Sequence, residues 1–310
     1  MRQRGVALIT AIVVVAIATI LAVRIGTRAA LDLRRTAGLV ALDQGWHVAL
    51  GAEAWAIEAL KEDWRNASGP TKVDHLAEAW AQPLPPLPID GGEVRGVLED
   101  MQGRFNLNNL VDEDDKPDEA NVARFAQLLV LVGAQPRWAS LMADWIDGNT
   151  MPEGDGAEDG TYLGQSPPYR TANGLVVTTT EMMALPGMTR EEFERIRPYV
   201  AALPPGTPLN ACTAKAPVLT AFVGSSTDFN NEELLASNRR EGCYPDRDVL
   251  ANVLGNDWAS VEQDFSESTN WFRALTAVRI GTSEFTLYSL INRNGSDTAI
   301  RTVLRSTGTE

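Results

Sequence analysis

The sequence predicts an α+β fold, in which a long N-terminal helix and an antiparallel sheet form one core that a large all-α insertion interrupts. Three patterns predict it. Apolar residues recur at three-, four- and seven-residue steps up to Asn66, as on one face of a helix. Strand patterns stand at 93–100, where Val94 and Leu98 lie among charged neighbours, and between 271 and 306, where short segments are rich in Val, Thr, Phe and Tyr. The residues between these two strand regions are mostly helical in pattern, which favours one αβ core with an inserted helical body.

The first element is an uncharged segment of 18 residues from Val6 to Val23. A helix of that length spans roughly 27 Å, close to the roughly 30 Å hydrocarbon core of a bilayer. Six arginines against Asp32 make the first 35 residues strongly positive, although the formal net charge of the chain is -14. Arg2 and Arg4 precede the segment and favour a cytoplasmic N-terminus, which would leave the bulk of the chain outside the cytoplasm.

Two interpretations of this start are open. A secretory signal peptide would be cleaved after small residues such as those at 16–18. Alternatively, the basic leader is only five residues long and ends at Gly5, directly before the apolar run. This arrangement resembles a type IV prepilin leader, which is cleaved after the glycine so that Val6 begins the mature chain. Thr10 stands where most pilins have Glu.

The later elements follow from periodicity and turn residues. Proline and glycine are frequent at 67–92, which predicts a loop. Helices are predicted at 121–132, 138–145, 189–199 and 214–223, and strands at 93–100, 271–280, 283–293 and 299–306. The chain is thereby divided into a leader (1–5), an N-terminal transmembrane and stalk helix (6–66), a first core part (67–111), a helical insertion (112–268) and C-terminal strands (269–310).

An acidic stretch from Asp144 to Tyr162 is the densest group of oxygen ligands. It contains no basic residue, and its glycines permit sharp turns. Calcium takes about six to eight oxygens, but the spacing is not that of an EF-hand, so a calcium loop and a solvated acidic surface are both open. Paired carboxylates of a glycosidase are a third interpretation. The oxygen-bearing residues are Asp144, Asp147, Asn149, Glu153, Asp155, Glu158 and Asp159.

The chain has 2 cysteines and 2 histidines, which excludes His-rich or multi-cysteine zinc, haem and iron–sulfur sites. Outside the cytoplasm, Cys212 and Cys243 are expected to form a disulfide. A nucleophilic cysteine would require His47 or His75 to reach the insertion from a distant part of the chain.

Residues 184–222 include a Pro-Gly turn between predicted helices and resemble the helix-hairpin-helix of nucleic-acid binders. The apolar residues of the same segment fit a helical core equally well. The net charge of -14 and the pI near 4.7 repel a phosphate backbone. Nucleic acid is therefore not an expected partner, and a membrane-tethered periplasmic DNA-binding protein is kept as the alternative function.

Several segments, in order along residues 1 to about 215, resemble the K minor pseudopilin of the type II, or general, secretion pathway. One departure is Ala211-Cys212-Thr213-Ala214, where that family more often has Asn-Thr-Ala, and the cysteines are not a general feature. The resembling segments are the leader to Gly5 with VALIT, GWHVALGAEAWA (45–56), EDMQGRFNLNNL (99–110), ADWIDGN (143–149), GAEDGTY (156–162), PYRTANG (168–174), LPGMTREEFERIRPYV (185–200) and LNACTA (209–214).

The resemblance implies a pilin-like fold that crosses the inner membrane once, with the bulk of the chain in the periplasm. It implies cleavage by prepilin peptidase after Gly5, methylation of Val6, and calcium in the acidic loop. The implied partners are the I and J minor pseudopilins, the pseudopilus and the inner-membrane assembly platform. The implied function is non-enzymatic: the subunit initiates and caps the tip of the pseudopilus and so supports export across the outer membrane. The expected calcium ligands are Asp144, Asp147, Asn149, Glu153, Glu158 and Asp159.

Overall fold

The computed structural model describes residues 3–66, 72–224, 228–294 and 299–307, and for residues 3–5 it describes the backbone only. Residues 1–2 of the expected leader and the Gly69-Pro70 pair of the predicted loop lie outside the described residues. The helices are α1 Gln3–Asn66, α2 Glu119–Leu131, α3 Trp138–Ile146, α4 Asp159–Tyr162, α5 Arg190–Ile196, α6 Ala216–Val223, α7 Glu232–Asn238, α8 Arg247–Leu254 and α9 Trp258–Val261. The strands are β1 Leu87–Ile89, β2 Gly92–Asp100, β3 Phe105–Asn106, β4 Val200–Ala201, β5 Leu209–Asn210, β6 Phe265–Ser266, β7 Trp271–Ile280, β8 Ser283–Asn292 and β9 Arg301–Thr307.

In the described part of the chain, the main sheet has five strands in the order β1-β2-β7-β8-β9, and every neighbouring pair is antiparallel. The segment between β2 and β7 forms the insertion, which contains helices α2 to α9 and two short parallel strand pairs, β3-β4 and β5-β6. The predicted α+β fold, with a long N-terminal helix, an antiparallel sheet and a helical insertion, is confirmed.

Two predicted elements differ in detail from the structure. The helix expected at 189–199 ends at Ile196 and continues as a 3₁₀ turn, because Pro198 has no N–H to donate to the carbonyl of Glu194. The loop expected at 67–92 contains the edge strand β1, which was missed because Pro88 lies in it. A proline is tolerated there because an edge strand has one side free of ladder hydrogen bonds.

The C-terminal part of α1 packs against the sheet, and its N-terminal part is exposed. Ala49 contributes to a buried cluster with Val94 of β2 and Leu287 of β8. Leu60 lies in a second cluster with Phe272 and Ile291. These positions follow the helical periodicity of the sequence, so the second half of α1 serves as the helical layer of the core.

One glycine of α1 is required by this packing. A Cβ at Gly45 would lie 3.0 Å from the Cβ of Phe285 on β8, whereas a Cβ at Gly51 would meet nothing within 4 Å. Gly45 therefore permits the close approach of α1 to β8, and Gly51 has no such role within the described chain.

Replacing Gly45 with leucine is expected to lower the free energy of unfolding by about 1–3 kcal/mol, because the added side chain must separate α1 from β8. The matched change Gly51→Leu should raise it by up to about 1 kcal/mol, since glycine disfavours a helix interior. Chemical denaturation of the full chain in detergent micelles measures both. Equal effects at the two positions would show that the Gly45 contact has no energetic importance.

The insertion has its own apolar core. Trp138, Phe125 and Tyr162 are completely buried in it, and the Phe105 ring stacks on Phe125 at 5.0 Å. Because α3 is enclosed on all sides by this core, even polar residues of its last turn are withdrawn from solvent.

A hydrogen-bond network joins the insertion to the sheet at the end of β2. Asp100 accepts hydrogen bonds from Asn210 Nδ2 at 2.8 Å and from the hydroxyls of Thr213 and Thr269 at 2.6 Å each. A Cβ at Gly103 would lie 2.6 Å from Thr213 Oγ1, so only glycine permits this approach. Two of the resembling segments, 99–110 and 209–214, therefore meet at the point where the insertion leaves the core.

Candidate metal site

Two acidic side chains lie at the C-terminal end of α3. Asp144 is in its last turn, and Asp147 directly follows the helix with an extended backbone. Both residues are 0% exposed, because the core of the insertion encloses α3. Isolated buried carboxylates are costly unless hydrogen bonds or a cation compensate them.

The acidic loop wraps around these two carboxylates. The backbone N–H of Glu153 donates to Asp144 at 3.2 Å, and the Asn149 amide donates to Asp147 Oδ2 at 2.5 Å. A Cβ at Gly156 would lie 2.0 Å from Asp144 Oδ2, so the loop backbone passes directly over this carboxylate. Glycine is required at position 156 by this close approach.

Three buried oxygens at this site have no hydrogen-bond partner among the described residues. They are Asp147 Oδ1, Glu158 Oε1 and Asn173 Oδ1. An unsatisfied buried acceptor costs about 1–3 kcal/mol, and more when it is charged. Carboxylate and amide oxygens are the ligands that calcium prefers, so the donor chemistry fits this ion.

Sequence reasoning missed Asn173. Its backbone N–H donates to the carbonyl of Trp145 at 3.1 Å, and its Nδ2 donates to the carbonyl of Asn149 at 3.1 Å. Asn173 lies in the PYRTANG segment, which carries part of the family resemblance but no predicted ligand. Only the fold brings this amide to the acidic loop.

The electrostatics of the site favour a cation. Burial, together with the neighbouring carboxylates of Glu153 and Glu158, raises the pKa of Asp144 to about 7 and that of Asp147 to about 6. Burial also raises the pKa of Glu158. Each of these groups is harder to ionise than usual because nothing positive in the described chain compensates its charge.

The remaining expected ligands are arranged differently. Glu153 is exposed. Asp159 accepts hydrogen bonds from the Thr171 hydroxyl at 3.1 Å and backbone N–H at 3.2 Å, and lies 3.7 Å from Arg170. Among the described residues of the acidic loop, no three carboxylate groups each place an oxygen within 4.8 Å of the other two. Coordination of one ion would therefore require movement of loop side chains.

Comparison with known proteins establishes the family. A family model described as type II secretion system (T2SS), protein K, matches residues 103–205. The chain is 37% identical over 317 residues to the type II secretion system protein K of Pseudomonas aeruginosa, an alignment that covers 99% of this chain and 93% of the relative. The chain belongs to the type II secretion system protein K family. It is also 30% identical to the protein K of Pectobacterium carotovorum, over 95% of this chain and 94% of the relative.

A solved structure agrees with the protein K assignment at the level of the fold. It is described as the crystal structure of the GspK-GspI-GspJ complex from the enterotoxigenic Escherichia coli type 2 secretion system. The TM-score is 0.75 at 24% identity, and the match covers 89% of this chain and 100% of the solved one. As a member of the protein K family, the chain is a minor pseudopilin.

In this member of the protein K family, one compact carboxylate trio is found among the described residues, away from the acidic loop. Asp63, Asp74 and Glu78 each place one oxygen within 4.8 Å of the others. The Arg293 guanidinium pairs with Asp63 at 3.2 Å and also contacts Asp74. Glu78 accepts from the indole N–H of Trp80 at 2.7 Å. The trio is thus an ion-pair network organised by an arginine.

The cysteines of this protein K chain are joined as a Cys212–Cys243 disulfide, and Cys212 is completely buried. A nucleophilic cysteine is therefore wrong for this structure, because both sulfurs are bonded to each other. His47 is 71% exposed on α1, and His75 accepts a hydrogen bond from the N–H of Ala77 at 3.3 Å.

The segment that resembles a helix-hairpin-helix is part of the insertion core. Gly187 has a φ of +83° and forms the turn before α5, but α6 begins only at Ala216, after β4 and β5. The first turn of α5 contains Glu192, which is buried and accepts from the Trp138 indole N–H at 2.8 Å. These contacts favour the packing interpretation over phosphate binding.

Proposed function

We propose that this minor pseudopilin initiates and caps the tip of the type II secretion pseudopilus, without enzymatic activity, and thereby supports protein export across the outer membrane. The observation that carries the proposal is the combination of an exposed apolar helix with a head enlarged by the insertion. In the described part of the chain, α1 is the one helix long and apolar enough to span a membrane. Its most apolar window has a mean hydropathy of 3.0 and is 0% buried.

The polar side chains of the apolar part of α1 suit a lipid environment. The hydroxyls of Thr10 and Thr19 donate to the carbonyls of Ala7 and Val15 at 3.0 and 2.9 Å. A hydroxyl that is satisfied within its own helix needs no partner in lipid. These contacts support a single inner-membrane span with the bulk of the chain in the periplasm.

The residue at position 10 supports a place at the tip. The resemblance to pilins implies that, in subunits that form the body of a fibre, a glutamate at this position pairs with the amino terminus of a neighbouring subunit. A subunit without a neighbour above it would leave that carboxylate unpaired in lipid, which is costly. Thr10 avoids the cost, and the insertion between β2 and β7 would obstruct a further subunit stacked on the head.

The I and J pseudopilins are the proposed neighbours, because the similar solved chain is described in a complex with GspI and GspJ.

We further propose that prepilin peptidase cleaves after Gly5 and methylates Val6, and that the mature chain meets the inner-membrane assembly platform. The intact mass of the protein from the inner membrane of its host tests the processing. A chain that begins at Val6 with one added methyl group is expected, and a chain that begins near residue 19 would contradict it.

Immunogold labelling with an antibody against the insertion tests the position in the fibre. Gold is expected at one end of each pseudopilus, and deletion of the chain should reduce both the number of pseudopili and the export of the secreted proteins. Labelling along the whole fibre would show a body subunit. Unchanged pseudopili and secretion in the deletion strain would remove the role in initiation.

The acidic loop is proposed to bind calcium. Asp144, Asp147, Glu158 and Asn173 would hold the ion through buried oxygens, and Asn149, Glu153 and Asp159 would complete the shell from the loop. The ion would neutralise the crowded carboxylates and tie the loop to the end of α3.

Removal of calcium is expected to destabilise the insertion. A ligand at about 100 times its dissociation constant stabilises the native state by about 2.7 kcal/mol, so EDTA should lower the thermal midpoint of the full chain. Asp147→Asn should abolish the response to calcium. Asp155→Asn, which changes an exposed carboxylate of the same loop, should retain it.

The pH dependence provides a second readout of the same site. The pKa values of about 7 for Asp144 and about 6 for Asp147 are raised in the folded state. In EDTA, the folded chain therefore binds more protons than the unfolded chain above about pH 4, and stability falls as the pH rises towards 7. Calcium requires the ionised carboxylates, so the stabilisation by calcium should grow over this range. A stabilisation by calcium that does not change with pH would exclude this site. So would a stabilisation that is equal in the wild-type chain and the Asp147→Asn variant.

A further inference from the structure

A cavity of about 600 Å³ lies between the sheet and the insertion, away from the acidic loop. Leu76, Trp80 and Leu98 contribute an apolar wall, and Leu235 of α7 extends it on the insertion side. The facing wall is cationic, which is unusual in a chain with a net charge of -14. Its basic residues are Arg104, Lys215, Arg239 and Arg240.

Arg239 is the central cation of this wall. It is only 6% exposed, and it donates from Nε to the carbonyl of Tyr244 and from Nη2 to the carbonyl of Ala211, both at 2.6 Å. Its Nη1 donates to no acceptor in the described ranges, and no carboxylate there lies within ion-pair distance of the guanidinium. Burial lowers the pKa of Arg239 only to about 10, so it is charged at neutral pH. The charge of Glu232 acts on Arg239 from beyond ion-pair distance, and a closer anionic partner would compensate the buried cation more fully.

Two of the neighbouring cations, Lys215 and Arg240, also lack ion-pair partners among the described residues. Lys215 and Arg240 are both exposed at the mouth of the cavity, and neither has a carboxylate within ion-pair distance in the described chain. The ammonium of Lys215 lies 5.1 Å from the centre of the Tyr199 ring. These side chains can therefore turn towards a ligand without breaking an existing ion pair.

The acidic residues that line the cavity are already engaged. Glu99 pairs with Arg104 and Arg273, and Asp100 is held by the hydrogen bonds of the junction network. Glu232 accepts from the backbone N–H of Ala216 at 3.2 Å. The charge of Glu232 also acts on Lys215 and Arg239, but four basic side chains line the cavity against three carboxylates, so a cationic excess remains.

The size and the apolar wall of the cavity define the class of ligand. A volume of about 600 Å³ far exceeds that of a small ion, since a water molecule takes about 30 Å³. Guanidinium and ammonium groups beside apolar surface match an organic carboxylate. We propose that this cavity binds a peptide segment of another protein chain that carries an acidic side chain beside an apolar one. This proposal does not depend on the position of the chain in the pseudopilus.

The test uses the full chain in detergent micelles and a fluorescein-labelled Leu-Glu-Leu peptide in which one leucine is photo-leucine. Anisotropy measures the affinity, and mass spectrometry locates the cross-link, which is expected on Leu76–Ala81 or on α7. The Leu-Gln-Leu analogue should bind at least about tenfold more weakly, because it loses the charge-assisted hydrogen bonds. Inorganic phosphate at equal concentration should not displace the peptide.

Two variants at the mouth of the cavity, Lys215→Gln and Arg240→Gln, should each weaken binding about fivefold and leave the thermal midpoint unchanged. Arg190→Gln is the matched control, because Arg190 is 86% exposed on the insertion and does not line the cavity. Equal binding of the two peptides, cross-links outside the cavity, or equal losses in all three variants would overturn the proposal. Displacement by phosphate alone would show a site for small anions instead.

Discussion

Replacing Arg293 with methionine is expected to lower the free energy of unfolding by about 3–5 kcal/mol, because the change leaves the buried carboxylate of Asp74 and the partly buried carboxylate of Asp63 without their cation. Arg293 is 1% exposed and pairs with Asp63 of α1 and Asp74 of the segment that follows it. It also donates to the carbonyl of Thr269 at 2.6 Å. One guanidinium thus connects α1, the following segment and the strand region after the insertion.

The surroundings of Arg293 explain why the loss should be large. Burial, together with the charges of Glu78 and Asp74, raises the pKa of Asp63 to about 7 even with Arg293 present. The guanidinium also lies 4.8 Å from the centre of the Trp64 ring and 4.9 Å from that of Phe272. Methionine can fill part of this space, but it cannot supply the charge.

Urea denaturation of the full chain in detergent micelles measures the effect. Arg279→Met is the matched control, because Arg279 pairs with Glu93 on the same sheet but is 54% exposed, and such pairs contribute about 0–1 kcal/mol. Adding Asp74→Asn to Arg293→Met should recover part of the stability. The loss should also be smaller at pH 5 than at pH 7.5, since protonated carboxylates need no cation. Equal effects of the two methionine variants would refute the role of Arg293.

Loss of the Cys212–Cys243 disulfide should lower the free energy of unfolding by about 3–4 kcal/mol, as the chain-entropy model gives for a loop of this length. The bond closes a loop with a sequence separation of 31 residues inside the insertion. The native state should survive the change, because Arg239 bridges the carbonyls of Ala211 and Tyr244 beside the two cysteines.

The double variant Cys212→Ser, Cys243→Ser and the reduced wild-type chain should show the same lowered unfolding midpoint. Thiol labelling of the folded, unreduced protein should be negligible. An unchanged midpoint after reduction, with labelling of both thiols confirming that the bond was broken, would show that the disulfide does not stabilise the chain.

The regular elements could be predicted from local patterns. The strand β7 occupies the predicted range 271–280, and α1 continues to Asn66 as its periodicity indicates. Such elements are encoded by the alternation of apolar and polar residues within a short window. The edge strand β1 was missed because Pro88 gives a local signal for a loop, whereas pairing with β2 is a tertiary contact.

The candidate metal site was predicted only in part. The acidic residues from Asp144 to Asp159 are close in sequence, so their clustering could be seen without a structure. The unpaired oxygen of Asn173 and the passage of Gly156 over Asp144 depend on how the insertion folds. Which carboxylates are buried also depends on the packing of α3 and cannot be derived from spacing.

By itself, the sequence determined the apolar helix, the order of helices and strands, the acidic loop and the family resemblance, because each depends on neighbouring residues or on ordered motifs. Only the tertiary structure decided which distant residues meet. Asp100 with Thr213 and Arg293 with Asp63 are pairs separated by more than a hundred residues. Burial, ion pairing and cavities arise from such non-local contacts, and local patterns carry no information about which residues make them.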